Sequence, residues 1–155
     1  MTGRRAMPAI ALLAAALTIG ISHVEPAHGA GPTCTAAVLN GLYVFSATGY
    51  SLPATGPAQP IAIIELIRFN GDGTLNVPGV ALSLNGVIPV IPPGEPGTYT
   101  VAELNPPERG CVGSIRFLLS GVHLAAFIPL DGNTLWLIQT DPTNVLQGTA
   151  KLVSR

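Results

Sequence analysis

Short runs of apolar, mostly β-branched residues alternate with clusters of turn residues along most of this chain. The clearest case spans residues 60–84, where one apolar run reaches Asn70-Gly71-Asp72-Gly73 and a second run leaves it. Asn and Gly accept the positive φ angles that tight hairpin turns require, so this segment predicts a β-hairpin. In the first run both strand faces are largely apolar, which indicates that both are covered or that one contacts a partner.

The same pattern recurs to the end of the chain and predicts a succession of short strands. Pro78-Gly79 interrupts one of them, and because proline cannot donate to the ladder we expect a bulge or a break there. No stretch after residue 30 shows a long 3.6-residue apolar period, so little helix is expected. Closing such a sheet removes its exposed edges, and we therefore predict an all-β fold, an up-and-down antiparallel β-barrel of about eight strands. The predicted strands cover residues 42–49, 61–69, 74–84, 97–103, 112–120, 122–130, 134–140 and 145–153, with residues 87–91 as an edge strand or loop.

Residues 1–29 differ in character from the rest of the chain. Arg4 and Arg5 precede an apolar run over residues 9–21, and Ala27-His28-Gly29 offers a small-x-small cleavage site. This order is typical of a secretory signal peptide, and the run is shorter than the roughly 18 residues of a membrane-spanning helix. We therefore expect a signal peptide at 1–29, a single barrel domain at 30–155, no membrane span in the mature chain, and a secreted, periplasmic or cell-surface location. An uncleaved anchor and a twin-arginine export route are the alternatives.

Cysteine count and charge narrow the chemistry further. The predicted mature chain has two cysteines, Cys34 and Cys111, which in an exported protein most simply form one disulfide. With a single histidine, His123, it cannot supply four soft metal ligands without distant carboxylates, so no metal is expected. No phosphate-binding loop or other cofactor motif is present either. The net charge is −1, and this gives no basic surface for nucleic acid or for anionic membranes.

Glu65 is the most unusual residue of the predicted sheet. Period-two alternation places it on one strand face with Ile63, Ile67 and Phe69. If that face lines the barrel, burial raises the pKa of the carboxyl and suits it to general acid–base chemistry or to anchoring the polar end of a ligand. The alternatives are that the other face points inward, or that Glu65 pairs with an arginine at the rim. The residues expected to line a ligand cavity are Tyr43, Phe45, Glu65, Phe69 and Tyr99.

Three further charged or ionisable residues lie within apolar strands. Arg68 and Arg116 suit either recognition of a ligand carboxylate or a surface position in which the stem covers apolar area. His123 suits either a base beside Glu65 or a packed side chain. The sequence favours the structural interpretation for all three.

Several turn and packing motifs resemble those of a known group of proteins. They are Leu39-Asn40-Gly41-x-Tyr43-x-Phe45, Phe69-Asn70-Gly71-Asp72-Gly73, Gly97-Thr98-Tyr99-Thr100-Val101 and Gly110-Cys111-x-Gly113. In these motifs the chain is similar to small secreted bacterial proteins, mostly of unassigned function, with a lipocalin-like or allene-oxide-cyclase-like barrel. The resemblance implies the scaffold alone. No segment matches the cyclase site residue by residue, and a shared fold does not fix function.

Three functions are consistent with these features. The first is a secreted, non-enzymatic barrel module that binds a small apolar ligand or a surface partner. The second is a small isomerase or cyclase that works in the barrel cavity with Glu65. The third is an interaction or adhesion protein that associates through the uncharged apolar segment from Val80 to Ile91, either by forming homo-oligomers or by docking to a partner. An open cavity would favour binding or catalysis, whereas a filled barrel with an exposed apolar hairpin would favour interaction.

Overall fold

The computed structural model of the protein describes residues 33–104 and 110–155, and the predicted signal peptide at 1–29 lies outside them. The described chain forms eight strands after one short 3₁₀ turn, η1 (Ala36–Val38). The strands are β1 (Asn40–Ser51), β2 (Gln59–Asn70), β3 (Thr74–Leu84), β4 (Glu95–Glu103), β5 (Cys111–Phe117), β6 (His123–Ile128), β7 (Thr134–Gln139) and β8 (Asn144–Ser154).

The strands form a closed barrel in sequence order, with every neighbouring pair antiparallel. The first strand closes the barrel because it pairs with β2 on one side and with β8 on the other. The predicted all-β, up-and-down barrel of about eight strands is therefore confirmed. Residues 87–91 contribute only one isolated bridge, between Leu84 and Val87, and form no strand.

The predicted turns lie where the sequence placed them. At the β2–β3 hairpin, Gly71 and Gly73 have φ angles of 81° and 95°, and Asp72 Oδ1 accepts hydrogen bonds from the N–H and hydroxyl of Thr74. Asn85 and Gly86 form a two-residue turn, since both have positive φ and the residues on either side exchange backbone hydrogen bonds. The bulge predicted at Pro78-Gly79 is also present, because the β2–β3 register shifts opposite these residues.

Inward-facing side chains decrease in size along β1. Tyr43, Phe45, Ala47 and Gly49 occupy alternate positions of this strand, and the first three are buried. We call the end of the barrel where β1 begins the closed end, and the opposite end, where β1 finishes, the open end. Because alternate residues of a strand share one face, the inward face of β1 is aromatic near the closed end and almost without side chains near the open end.

Aromatic rings and the 3₁₀ turn fill the closed end. The ring of Phe69 meets those of Tyr43 and Tyr99 edge-on, with centroids 5.2 and 5.0 Å away. The Tyr99 hydroxyl donates to a backbone carbonyl at η1, with both Ala36 O and Leu39 O at 2.9 Å. A disulfide links Cys34, just before η1, to Cys111 at the start of β5, as predicted. The Tyr99 hydroxyl and the disulfide hold the lead-in segment against the barrel.

The wall of the barrel parts on one side near the open end. Only Thr74–Val77 of β3 pairs with β4, whereas the rest of β3 follows β2 as far as Leu84. Residues 85–94 cross this gap and return to the wall at Gly94, whose N–H donates to Val77 O at 2.7 Å. No helix within residues 33–104 and 110–155 is long and apolar enough to cross a membrane.

Candidate functional site: the barrel cavity

A cavity of about 220 Å³ occupies the barrel from its middle to the open end. Ser120, which is exposed, and Asn144, which is half-buried, lie at its edge, so the cavity reaches the protein surface. The lining is mainly apolar and comes from every strand. The lining residues are Phe45, Ile61, Ile63, Glu65, Leu82, Ile91, Glu95, Phe117, Ser120, Val122, Leu124, Gln139, Asn144 and Leu146.

Glu65 lies in this cavity at the middle of β2, between Phe45 of β1 and Val80 of β3. Only 6 % of its surface is exposed, and its carboxylate has no hydrogen-bond partner among the described residues. Burial, and to a smaller extent the negative charge of Glu95, raise the pKa of the Glu65 carboxyl from an ordinary 4.5 to about 8. At neutral pH this carboxyl is therefore mainly protonated.

The second carboxyl of the cavity has a different environment. Glu95 Oε1 accepts hydrogen bonds from the backbone N–H groups of Ser120, at 2.6 Å, and Leu119, at 3.2 Å. These bonds fasten the β5–β6 turn to the start of β4, which gives Glu95 a structural role at the mouth. Both carboxyls line the same cavity, but Glu95 is hydrogen-bonded to the backbone and Glu65 has no hydrogen-bond partner among the described residues.

The remaining polar side chains of the lining are uncharged. Gln139 is the inward residue at the end of β7, is buried, and donates from Nε2 to Asp141 Oδ2 at 3.3 Å. Ser120 and Asn144 supply a hydroxyl and an amide nearer the mouth. No Lys, Arg or His belongs to the lining within the described ranges 33–104 and 110–155. The ionisable groups in that lining are both acids.

The five residues predicted to line a cavity divide between the two ends. Phe45 and Glu65 line it, whereas Tyr43, Phe69 and Tyr99 form the aromatic cluster of the closed end. The Tyr43 hydroxyl donates to Gly132 O at 2.6 Å, and burial raises its pKa to about 12, so it is bound to the scaffold rather than free for a ligand.

Sequence analysis did not identify Gln139, Glu95 or the apolar residues of β5 to β8 as lining residues. For Gln139 a signal existed. It alternates with Leu135 and Leu137, both buried, so a polar residue at the inward position of β7 was visible in the pattern. For the others nothing in the sequence separates a residue that packs against neighbours from one that faces an empty space.

The remaining residues considered for chemistry lie outside the cavity. His123 Nδ1 is 2.8 Å from Asp141 Oδ1. The Asp141 carboxylate also accepts a hydrogen bond from the His123 backbone N–H, and this bond lowers the pKa of Asp141. Arg68 and Arg116 are exposed on the outer face. The surface interpretation therefore holds for both arginines, and His123 is not beside Glu65.

A larger depression of about 620 Å³ lies at the rim above β1, β2 and β8. Tyr50, Ile138 and Val145, all exposed, contribute to it from the outer face, and Ile61 and Leu146 belong to both spaces. No carboxyl or basic group lines this depression among the described residues. Its chemistry is therefore less specific than that of the interior, and we regard the interior cavity as the candidate site.

Comparison with protein-family models, curated proteins and solved structures found no match to this chain. The eight-stranded barrel agrees with the scaffold that the resemblance implies. Secretion, a lipocalin-like relationship and a bacterial origin remain predictions.

Proposed function

We propose that this protein is a secreted, non-enzymatic β-barrel module that binds one small apolar ligand in the interior cavity. The observation that supports it is the combination of an apolar, surface-connected cavity with a buried carboxyl, Glu65, that has no partner among the described residues. The Glu65 oxygens are open to the cavity and have no hydrogen-bond partner among the described residues. A ligand in the cavity can therefore hydrogen-bond to this carboxyl.

The cavity volume limits the size of this ligand. A dry apolar cavity of about 150 Å³ accommodates benzene, so 220 Å³ corresponds to about nine non-hydrogen atoms on the same scale. A six-membered ring with a short substituent fits this limit. A long-chain lipid does not fit unless residues 85–94 move away from the gap between β3 and β4.

Catalysis by Glu65 is the second candidate. A carboxyl with a pKa near 8 holds a proton that it can donate and recover at neutral pH, which suits an isomerase or cyclase. We rank this function below binding because Glu95, the other acid of the lining, is engaged with the β5–β6 turn. A Glu65→Gln variant that binds the natural ligand and fails to convert it would support the enzyme.

Secretion is supported by the Cys34–Cys111 disulfide, since such bonds persist in oxidising compartments. We expect protein recovered from the medium or periplasm of its own host to begin near Ala30, and N-terminal sequencing checks this. Recovery of the chain with Met1 intact would contradict the signal peptide.

A neutral probe tests ligand binding directly. Cyclohexylmethanol has a suitable size, and methyl NMR spectra of a titration should show shifts at Ile63, Leu124 and Leu146. Ile63 faces the cavity, whereas its neighbour Ile64 is 59 % exposed on the outer wall. Ile63→Phe should therefore abolish the shifts by filling the cavity, and Ile64→Phe should leave them unchanged. Equal behaviour of the two variants would contradict an interior site.

Native mass spectrometry of protein from its own host complements this test. A retained mass of a size the cavity can hold would identify the natural ligand. The same spectrum reports the number of subunits, and thereby separates ligand binding from the alternative of self-association.

A further inference from the structure

Resting on the proposed function, we propose that the natural ligand is an apolar amine that binds as its cation, with its ammonium group against Glu65 and its hydrocarbon body against the apolar wall. The proposal concerns the sign of the ligand's charge. It follows from which groups the cavity offers and which of them already have partners.

The position of Glu65 points to a donor on the ligand. Glu65 is buried as a residue, its carboxylate is open to the cavity, and it receives no hydrogen bond from any described residue. The facing side chains from β1 and β3 are Phe45 and Val80, neither of which can donate. An ammonium group held against Glu65 favours the ionised form of the carboxyl. That form accepts hydrogen bonds only, and the ammonium group supplies three donors to it.

The charge of the lining favours a cation over the other donors. Glu95 is the one ionisable side chain in the lining besides Glu65 among the described residues, and it is also an acid. Strands β1, β3, β5, β6, β7 and β8 contribute only uncharged residues to the described lining. A carboxylate ligand would therefore find no basic partner and would be repelled by Glu95, whereas a cation is attracted by Glu95 and, once Glu65 has released its proton, by both acids.

The rest of the lining specifies the body of the ligand. Ile63, Phe117, Leu124 and Leu146 present hydrocarbon surface around the carboxyl, and this surface excludes a hydrated inorganic cation. No group of three His, Cys, Asp or Glu side chains suitable for a metal ion occurs within the described parts of the chain. An organic cation with one charged head and a compact apolar body matches both features.

Binding of such a cation is coupled to proton release. In the free protein the Glu65 carboxyl holds its proton at neutral pH, because its pKa is about 8. When the ammonium group binds, this proton leaves to solvent and the carboxylate remains with the cation. Affinity should therefore increase about tenfold per pH unit below pH 8 and level off above it, until the amine itself loses its proton.

Three probes of one shape test the proposal by isothermal titration calorimetry. Cyclohexylmethylamine should bind the full mature chain at pH 8 about ten- to a hundredfold more tightly than cyclohexylmethanol, as expected for a charge-assisted hydrogen bond. Cyclohexanecarboxylate should bind most weakly. Repeating the amine titration at pH 7 in buffers of different ionisation enthalpy should show release of close to one proton, and the alcohol should release none.

Variants separate this inference from the proposed function. Glu65→Gln should remove the preference for the amine and its proton release while cyclohexylmethanol still binds, which also shows that the variant is folded. Equal affinity for amine and alcohol in the wild type, or a preference for the carboxylate, would overturn the amine proposal and leave an apolar binding site. If none of the three probes binds, and the NMR titration with cyclohexylmethanol gives the same result for Ile63→Phe as for the wild type, the proposed function itself is wrong.

Discussion

The closed end of the barrel packs Tyr43, Phe69 and Tyr99 against one another, whereas the inward face of β1 at the open end has only Ala47 and Gly49. The two ends belong to the same eight strands and follow the same alternation. They differ in how completely the inward side chains fill the interior. An eight-stranded barrel has an interior that side chains can just fill, yet at the open end the lining side chains, Ile61, Ile63 and Leu146 among them, leave a cavity of about 220 Å³.

The two ends also treat their polar groups differently. At the closed end the hydroxyls of Tyr43 and Tyr99 both donate to backbone carbonyls. At the open end the Glu65 carboxylate has no partner among the described residues. A hydrogen-bonded hydroxyl adds stability, whereas burial removes solvation from the charged form of the Glu65 carboxyl and thereby raises its pKa. The closed end therefore stabilises the fold, whereas the open end holds a buried carboxyl that the barrel leaves without a partner among the described residues.

The disulfide gives the largest expected effect at the closed end. Replacing Cys34 and Cys111 together with alanine should lower the free energy of unfolding by up to about 4.5 kcal/mol, because the bond joins positions 77 residues apart and restricts the unfolded chain. Urea denaturation measures this loss. The folded double-alanine variant should still bind cyclohexylmethanol as tightly as the wild type, since the disulfide is remote from the cavity. A variant as stable as the wild type would show that the closed end does not depend on this cross-link.

A pair of phenylalanines tests the difference in packing between the ends. Phe69→Ala should cost about 4 kcal/mol, as for a buried ring with neighbours on all sides. Phe45→Ala should cost about 1 kcal/mol less, because that ring already faces the cavity and lacks contacts there. Chemical denaturation of both variants measures the two losses. Equal losses would indicate that the open end is as well packed as the closed end.

The pH dependence of stability isolates the cost of Glu65. Below pH 4.5 the carboxyl is protonated in both states, and as pH rises towards 8 only the unfolded state ionises, so stability should fall across this window. We expect a loss on the order of 3 kcal/mol between pH 5 and pH 8. Glu65→Gln should remove this loss and be more stable than the wild type at pH 8.

A control and a second readout accompany this prediction. Glu95→Gln should retain most of the loss, because burial is the larger cause of the raised pKa and the charge of Glu95 the smaller. Asp141 has the opposite effect on the pH dependence of stability. Its pKa is lowered, so its contribution to the free energy of unfolding is lost only as the solution becomes more acidic. If a carboxyl-labelled NMR titration finds an ordinary pKa at Glu65, the result would contradict both the predicted loss of stability and the proposed role of Glu65 in the site.

The smallest expected effect on stability concerns the apolar tip beside the open end. Val87, Ile88 and Val90 are exposed, Val90 to 98 %, while Leu82 and Ile91 of the same segment line the cavity. We predict self-association through this tip, so replacing Leu84 and Val87 with lysine should give a smaller particle in sedimentation velocity. Val153→Lys, an exposed valine near the closed end, is the matched control and should change nothing. A wild type that is already monomeric at high concentration would contradict the prediction.

The sequence was sufficient for the barrel because the relevant signals are local. Asn70 to Gly73 and Asn85-Gly86 require positive φ, and strand periodicity of two between such turns leaves few alternatives to a meander. The disulfide followed from having two cysteines in a chain that is predicted to be exported. Period-two alternation also placed Glu65 on the face with Ile63, Ile67 and Phe69, although it could not decide whether this face points inward.

Only the tertiary structure decided which inward residues surround an empty space. Tyr43, Phe45, Phe69 and Tyr99 share the same alternation, yet Phe45 alone of the four lines the cavity. The difference depends on what each ring meets across the barrel, and those neighbours come from strands distant in sequence. How deeply Glu65 is buried, and hence how far its pKa is raised, depends on the same long-range packing. Local pattern fixes the direction of a side chain, but volume and solvation are properties of the closed barrel.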